Sequence, residues 1–235
     1  MKTDTSAFTK TSLPIPSYLD ETYWWAYIHP RAVHLFERKW LVNLILLGNY
    51  DRLCDAVLET FGKKITGQNL QIACAYGDLT PRIAERLDEQ GHLDVIDIVP
   101  IQLSNLKGKL TVEDKVDLHQ MNSMKLDFDN DQFDRTLMYF LLHEQPMDVR
   151  VKTLSEGLRV LRPGGTLTIV DFARPSRWNP VKYIWMPILS VLEPFAPDLW
   201  HGEVAQWLPK NVAIADMKVT RYFGGTFQMI NIVKG

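Results

Sequence analysis

From Gly67 onward, short apolar runs alternate with stretches of helical periodicity. Leu70–Cys74, Leu93–Ile98, Val116–Met121, Phe133–Leu141 and Thr166–Phe172 read as strands. Between the first two, Thr80-Pro81 supplies an N-cap and a favoured first helical position. The spacing predicts a helix to about Gln90, ended by Gly91. Ile101–Leu110 and Pro146–Leu161 read as further helices, the latter interrupted in composition by Gly157. Strands separated by helices predict an α/β fold with a doubly wound parallel sheet. The end of the chain departs from that rhythm. Met217–Tyr222 and Phe227–Val233 flank Gly224-Gly225, the pattern of a terminal antiparallel hairpin.

The first quarter is different. Asp20–Phe61 reads as helical, divided near His29-Pro30 and near Gly48-Asn49. Within it, Trp40–Leu47 is apolar on almost every face, which marks a helix that is buried or faces something non-aqueous; core packing is the favoured expectation. A second greasy stretch, 181–200, carries prolines that suit neither a long helix nor a central strand, and it reads as a lid. Neither stretch is an uninterrupted apolar run long enough for a transmembrane helix. The expected organisation is a mobile tail over 1–19, a helical cap over 20–62, and an α/β domain over 63–235 with a lid at 173–201.

Composition narrows the partners. Lys and Arg number 26 against 28 Asp and Glu, so no general field steers the chain toward nucleic acid. Cys54 and Cys74 lack metal or redox spacing and suit a reducing compartment. The polar N-terminus has no apolar h-region and no arginine, so it reads as neither a secretory signal nor a transit peptide.

In open α/β sheets ligands bind beyond the carboxyl ends of the strands, so the residues there carry the chemistry. After strand one, "IACAYGDLT" (72–80) holds one glycine where nucleotide loops usually hold three. Cys74, Ala75, Tyr76 and Gly77 are the candidate cofactor loop. Asp97, twenty positions beyond Gly77, can accept both hydroxyls of a ribose, with Ile98 beside it. Asn122 and Ser123 suit an adenine edge. After strand four come Phe140 and His143-Glu144, and after strand five comes Asp171. Each has a plainer alternative: Asp97 as a helix cap, His143 as a hydrogen-bonded structural histidine. The agreement of all the strand ends favours a ligand site.

"FDNDQFDRTLMYFLLHE", "EGLRVLRPGGTLTIVDFARP" and the hairpin resemble class I S-adenosylmethionine-dependent methyltransferases, particularly quinone-pathway members. That resemblance implies a Rossmann-like seven-stranded sheet with a reversed last strand. "YWWAYIHP", "FERKWLVNLILLGN", "ACAYGDLT", "DVIDIVPIQ", "FLLHEQP", "LEPFAPDLW" and "YFGGTFQ" look like the rhodoquinone-biosynthesis branch of that family. This second resemblance implies replacement of a methoxy group of ubiquinone by an amino group. S-adenosylmethionine is the implied amino donor and Mn²⁺ the implied helper, in anaerobic respiration at an energy-conserving inner membrane. The chain would sit peripherally on its cytoplasmic or matrix side, with a homodimer contact as the competing use of the greasy segments.

Ala73 and Ala75 add a Cβ, and Tyr76 a phenol, where backbone normally approaches the donor's methionine moiety. For the implied metal the strand ends offer His143, Glu144, Asp78 and Asp171, a donor set suited to Mn²⁺, although Glu144 and Asp78 serve equally as helix caps. Tyr76, Tyr139 and His143 are the expected proton carriers. A conventional quinone or lipid methyltransferase and a non-catalytic subunit of a quinone-pathway complex are the alternatives.

Overall fold

The computed structural model describes residues 13–111 and 115–235, so the expected tail lies outside the described residues through residue 12. Helix begins inside that tail's expected boundary. Helix α1 (Ser17–Tyr23) runs into a π-helical turn, Trp24–Ile28, followed by α2 (Pro30–Phe36), α3 (Lys39–Ile45) and α4 (Tyr50–Phe61). The break at His29 follows from Pro30, which holds the preceding residue extended and then opens α2. The break before α4 uses positive φ at Leu47 and Gly48. Helix α4 buries Tyr50, Leu53, Cys54, Val57, Leu58 and Phe61, the stripe of a helix lying against a sheet.

Seven strands form one sheet: β1 (Ile65–Ile72), β2 (Leu87–Asp97), β3 (Val116–Gln120), β4 (Phe133–Tyr139), β5 (Leu161–Phe172), β6 (Ile214–Tyr222) and β7 (Phe227–Lys234). Their order is β3-β2-β1-β4-β5-β7-β6. The first five strands pair in parallel, and β7 runs antiparallel to both β5 and β6. The expected hairpin is present, and its second strand wedges between its first strand and β5. Order reverses between β1 and β4, which makes the crevice above them the switch point.

Helices α5 (Leu79–Ala84), α6 (Pro100–Lys107) and α7 (Met147–Arg159) connect the parallel strands. Helix α5 is shorter than the expected Thr80–Gln90, because β2 already starts at Leu87. Gly91 therefore ends no helix. It pairs with Gly67 in the sheet, where a Cβ would come 2.1 Å from the Ile65 carbonyl. Likewise Pro163-Gly164-Gly165 lies inside β5, in the register shift between the Phe133 and Arg135 pairings.

One expectation about the greasy stretches changes. Helix α3 is not core: Trp40 and Leu44 are 59% and 62% exposed, while Val42 and Ile45 turn to the cavity. Stretch 181–200 is helical, with α8 (Lys182–Leu192) and α9 (Pro197–His201). Pro187 sits inside α8, where the hydrogen bond it forgoes lies on an exposed side of the helix. Among the described residues no helix is long and apolar enough to cross a membrane.

Candidate active site

The carboxyl ends of the parallel strands open on one cavity of about 1380 Å³, its mouth included, walled on the other side by α1–α3 and α8.

The β1 end is tied to the β2 end. Asp97 accepts from the backbone N–H groups of Cys74 (2.9 Å) and Val99 (2.8 Å), one on each oxygen. Each oxygen keeps a lone pair for a ligand hydroxyl. Burial pushes the Asp97 carboxyl up to about 6, against the partial relief of those N–H groups. Ala73 and Phe140, at the ends of β1 and β4, hold φ of +71° and +52°, and both line the cavity. Ala73 thus keeps a backbone shape that glycine adopts freely while carrying a side chain.

Tyr76 is clamped. Its ring lies 5.7 Å from Tyr27 and 6.0 Å from Phe36, nearly parallel to both. Its hydroxyl donates to the Ala26 carbonyl (2.7 Å) and accepts from Gln102 Nε2 (2.8 Å). Tyr139 borders the cavity, but its hydroxyl is paired with the Cys54 sulfur in the core, 3.4 Å away. Burial raises both phenols well above their ordinary range. Both hydroxyls are therefore committed within the fold.

Gly77 and Asp78 do not line the cavity. Gly77, at φ +85°, packs so tightly that a Cβ would meet the Tyr50 hydroxyl at 2.2 Å, and its N–H donates to Glu37 (3.1 Å). Asp78 accepts from Tyr50 (2.9 Å) and Lys39 (3.2 Å). Its carboxylate is thereby spent on joining α4 and α3 to the loop, away from the other expected metal donors.

Asn122 and Ser123 line the β3 end with Ile98 nearby. Asn122 Oδ1 accepts from the Met124 N–H (2.9 Å), and Ser123 pairs with Thr153 (2.9 Å) and accepts from Gln145 (3.3 Å). The other amide end of Gln145, Oε1, is buried in the cavity wall with no partner.

The densest chemistry lies where β4 and β5 end. A single 3₁₀ turn, Leu142–Glu144, wraps the Asp171 carboxylate. Asp171 accepts from the N–H groups of Leu142 (2.8 Å), His143 (3.3 Å) and Phe172 (2.7 Å) and pairs with His143 Nδ1 (2.9 Å). It is saturated, so it orients His143 and is not free to ligate. His143 Nε2 faces Glu144 (3.6 Å) and Glu193 (4.0 Å), the latter delivered by the C-terminal end of α8. Glu144 also accepts a hydrogen bond from the Tyr27 hydroxyl. The Glu193 carboxylate lies against the Tyr23 hydroxyl, a contact that lowers the Glu193 carboxyl and raises the Tyr23 phenol.

Burial alone would lower the His143 imidazole; the Asp171 charge and hydrogen bond, with Glu193 and Glu144, overcome it and raise it to about 9. Burial pushes the Glu144 and Glu193 carboxyls up, with His143 opposing. One imidazole thus faces two buried carboxylates at this end of the cavity. Glu193, which faces His143 where Asp78 does not, was not among the expected site residues. Its sequence signal was an isolated acid in an otherwise apolar stretch.

Arg150 fixes this turn. Its guanidinium is fully buried, donating to the carbonyls of Leu142 (2.9 Å), Gln145 (2.9 Å) and Phe195 (3.0 Å) and to Asp198 (3.2 Å). It also lies 4.7 Å from the Trp207 ring centroid. One side chain thus joins the Leu142–Glu144 turn to the segment after α8. A separate group, His92, Asp94 and Asp117, sits on β2 and β3 and does not line the cavity.

Comparison with known proteins bears on this geometry. A family model described as the ubiE/COQ5 methyltransferase family matches residues 38–196. The demethylmenaquinone methyltransferase of Listeria monocytogenes serotype 4a (strain HCC23) is 28% identical over 159 residues, covering 63% of this chain and 66% of that relative. The ubiquinone/menaquinone biosynthesis C-methyltransferase UbiE of Pseudomonas fluorescens (strain Pf0-1) is 27% identical over 162 residues, 65% of this chain and 62% of that relative. The match therefore spans just under two thirds of these relatives' own lengths. Among solved structures, a SAM-dependent methyltransferase from Thermotoga maritima superposes with a TM-score of 0.65 at 16% identity, covering 88% of this chain and 98% of that one. The fold is that of the class I S-adenosylmethionine-dependent methyltransferases.

Proposed function

This chain belongs to the ubiE/COQ5 methyltransferase family, and on that premise we propose that it uses S-adenosylmethionine to modify the ring of an isoprenoid quinone, replacing a methoxy group of ubiquinone by an amino group to give rhodoquinone. The observation that carries the finer part is the loop after β1. Its backbone keeps a glycine-like turn at Ala73, while Ala73, Ala75 and the clamped Tyr76 narrow the place where a methionine moiety would lie. A donor held differently by its amino-acid end presents a different atom to the substrate. Asp97, Asn122 and Ser123 are the proposed nucleoside contacts, with Ile98 and Phe140 packing beside them.

The first bond change is an addition and elimination at the ring. The donor's amine nitrogen bonds to the methoxy-bearing carbon, the ring–oxygen bond breaks, and methanol departs with a proton from nitrogen; the donor's N–Cα bond then breaks as a proton leaves Cβ and one is returned to nitrogen, which frees the amino-substituted ring and an α,β-unsaturated donor acid. His143 Nε2, Glu144 and Glu193 would hold Mn²⁺, which supplies a Lewis acid toward a quinone carbonyl when bound there. Asp171 aims His143, Tyr27 fixes Glu144, and the stack of Tyr27, Tyr76 and Phe36 shields that wall from water. The isoprenoid tail makes a membrane surface the source of the substrate.

Ring C-methylation is the second reading, and the relatives' names support it more directly than amino replacement. There the sulfonium methyl passes to a ring carbon, whose proton leaves to a base. Purified protein incubated with S-adenosylmethionine, Mn²⁺ and a short-chain ubiquinone or its demethyl precursor separates the outcomes by product mass. Methoxy lost and amino gained is the expected result; a methyl gained establishes the second reading; no change with either ring overturns both.

A further inference from the structure

Helix α8 faces two ways. Inward, Leu189 and the residue after the helix, Glu193, line the cavity. Outward, Tyr183, Ile184, Ile188 and Val191 are 73%, 71%, 42% and 81% exposed, and Trp178 just before the helix is 80% exposed. The outward apolar residues recur at helical spacing, so they form one stripe and not scattered contacts. A surface helix of a protein surrounded only by water turns its polar face outward; α8 does the reverse.

Charge indicates what covers it. Between Asp171 and Glu193 the chain carries Arg174, Arg177 and Lys182 and no acidic residue. Arg177 lies 4.9 Å from the Trp178 ring and Lys182 4.9 Å from the Tyr183 ring. Aromatic rings with a cationic head beside them fit the headgroup level of a bilayer, with aliphatic neighbours reaching the acyl boundary. A two-fold contact with a second copy would set this cationic segment against itself, which disfavours that occupant.

We propose that Trp178 and the outer stripe of α8 form an interfacial anchor that docks on an anionic phospholipid surface and places the cavity against the bilayer. This deepens the function proposed above and rests on it only for the lipid-borne substrate. The helix that meets lipid also sets Glu193 opposite His143, so docking and the site share one element.

The test uses the full chain and unilamellar vesicles without quinone or S-adenosylmethionine. Co-flotation with phosphatidylcholine–phosphatidylglycerol vesicles is the expected result, with much weaker recovery on pure phosphatidylcholine. Replacing Ile184→Glu and Val191→Glu together lowers the bound fraction by about tenfold while leaving the far-UV spectrum unchanged, since both side chains point outward. Product formation from a water-soluble short-chain quinone by that variant stays at the unsubstituted protein's level, which separates a failed anchor from a failed chemistry. No binding by the unsubstituted chain, or equal binding by the variant, overturns the anchor. A concentration-dependent dimer in sedimentation velocity that the variant abolishes overturns it in favour of a second copy.

Discussion

The two walls of the cavity are built on different principles. The strand-end wall is tied together by its own hydrogen bonds, Gln145 Oε1 excepted: Asp97 ties β1 to β2, and Asp171 ties β4 to β5 by holding four donors. The cap and α8 wall is left incomplete. Trp185 Nε1 is buried there without a hydrogen-bond partner, and the same elements expose Trp24, Trp40, Tyr183 and Ile184. Leaving a buried polar atom unpaired costs about 1–3 kcal/mol, so such a wall persists where a ligand supplies the missing partners.

That contrast breaks most sharply at the joint between the walls. His143→Ala removes the imidazole that Asp171 aims and Glu193 faces, and turnover should fall about a thousandfold. Donor affinity, measured by calorimetry, should move by less than threefold, because the nucleoside contacts lie on the other side of the cavity. Bound Mn²⁺, read by electron paramagnetic resonance, should be lost in the same variant. Retained ion binding would remove His143 from the metal set.

Arg150→Met is the next largest. The ion pair contributes little, since Asp198 is 44% exposed. The cost comes from the carbonyls of Leu142, Gln145 and Phe195 losing a buried donor, roughly 3–5 kcal/mol together. Urea unfolding measures it, and a loss below about 1 kcal/mol would show that the two walls are not joined through this side chain.

Asp97→Asn probes the finished wall. Losing a charged acceptor for ribose hydroxyls should weaken donor binding by about 10–100-fold. The pH dependence has a definite sign. Asp97 titrates near 6, so the carboxylate prevails above that value, and affinity falls as pH drops through it, approaching about tenfold per unit. The Asn variant should lack that step. The smallest effect is Ala73→Gly, which relieves a left-handed alanine of about 1–2 kcal/mol and concedes part of it to glycine's looser unfolded chain. A net gain of roughly 0.5–1 kcal/mol should appear as a rise of a few degrees in Tm; a loss would show that the turn needs the methyl group for packing.

Much of this was legible along the chain. Short apolar runs and turn signals located the seven strands, and the strand-end rule gathered Cys74, Ala75, Tyr76, Asp97, Ile98, Asn122, Ser123, Phe140, His143 and Glu144 around one cavity. Strand ends converge whenever parallel strands share a sheet, so that part needs no knowledge of side-chain packing. Gly77 and Asp78 belong to the same loop but face the cap, because Tyr50 from α4 occupies the space behind them. The direction of a side chain within a loop depends on what packs against it.

The sequence by itself determined the order of elements, the parallel core with its terminal hairpin, and the set of strand ends that carry polar chemistry. These follow from local periodicity and chain connectivity. Only the tertiary structure decided that the Tyr76 and Tyr139 hydroxyls are committed within the fold, that α3 lies exposed, and that Glu193 reaches His143 across 50 positions of chain. Those outcomes depend on which distant segment folds over the site, and no short-range pattern encodes that.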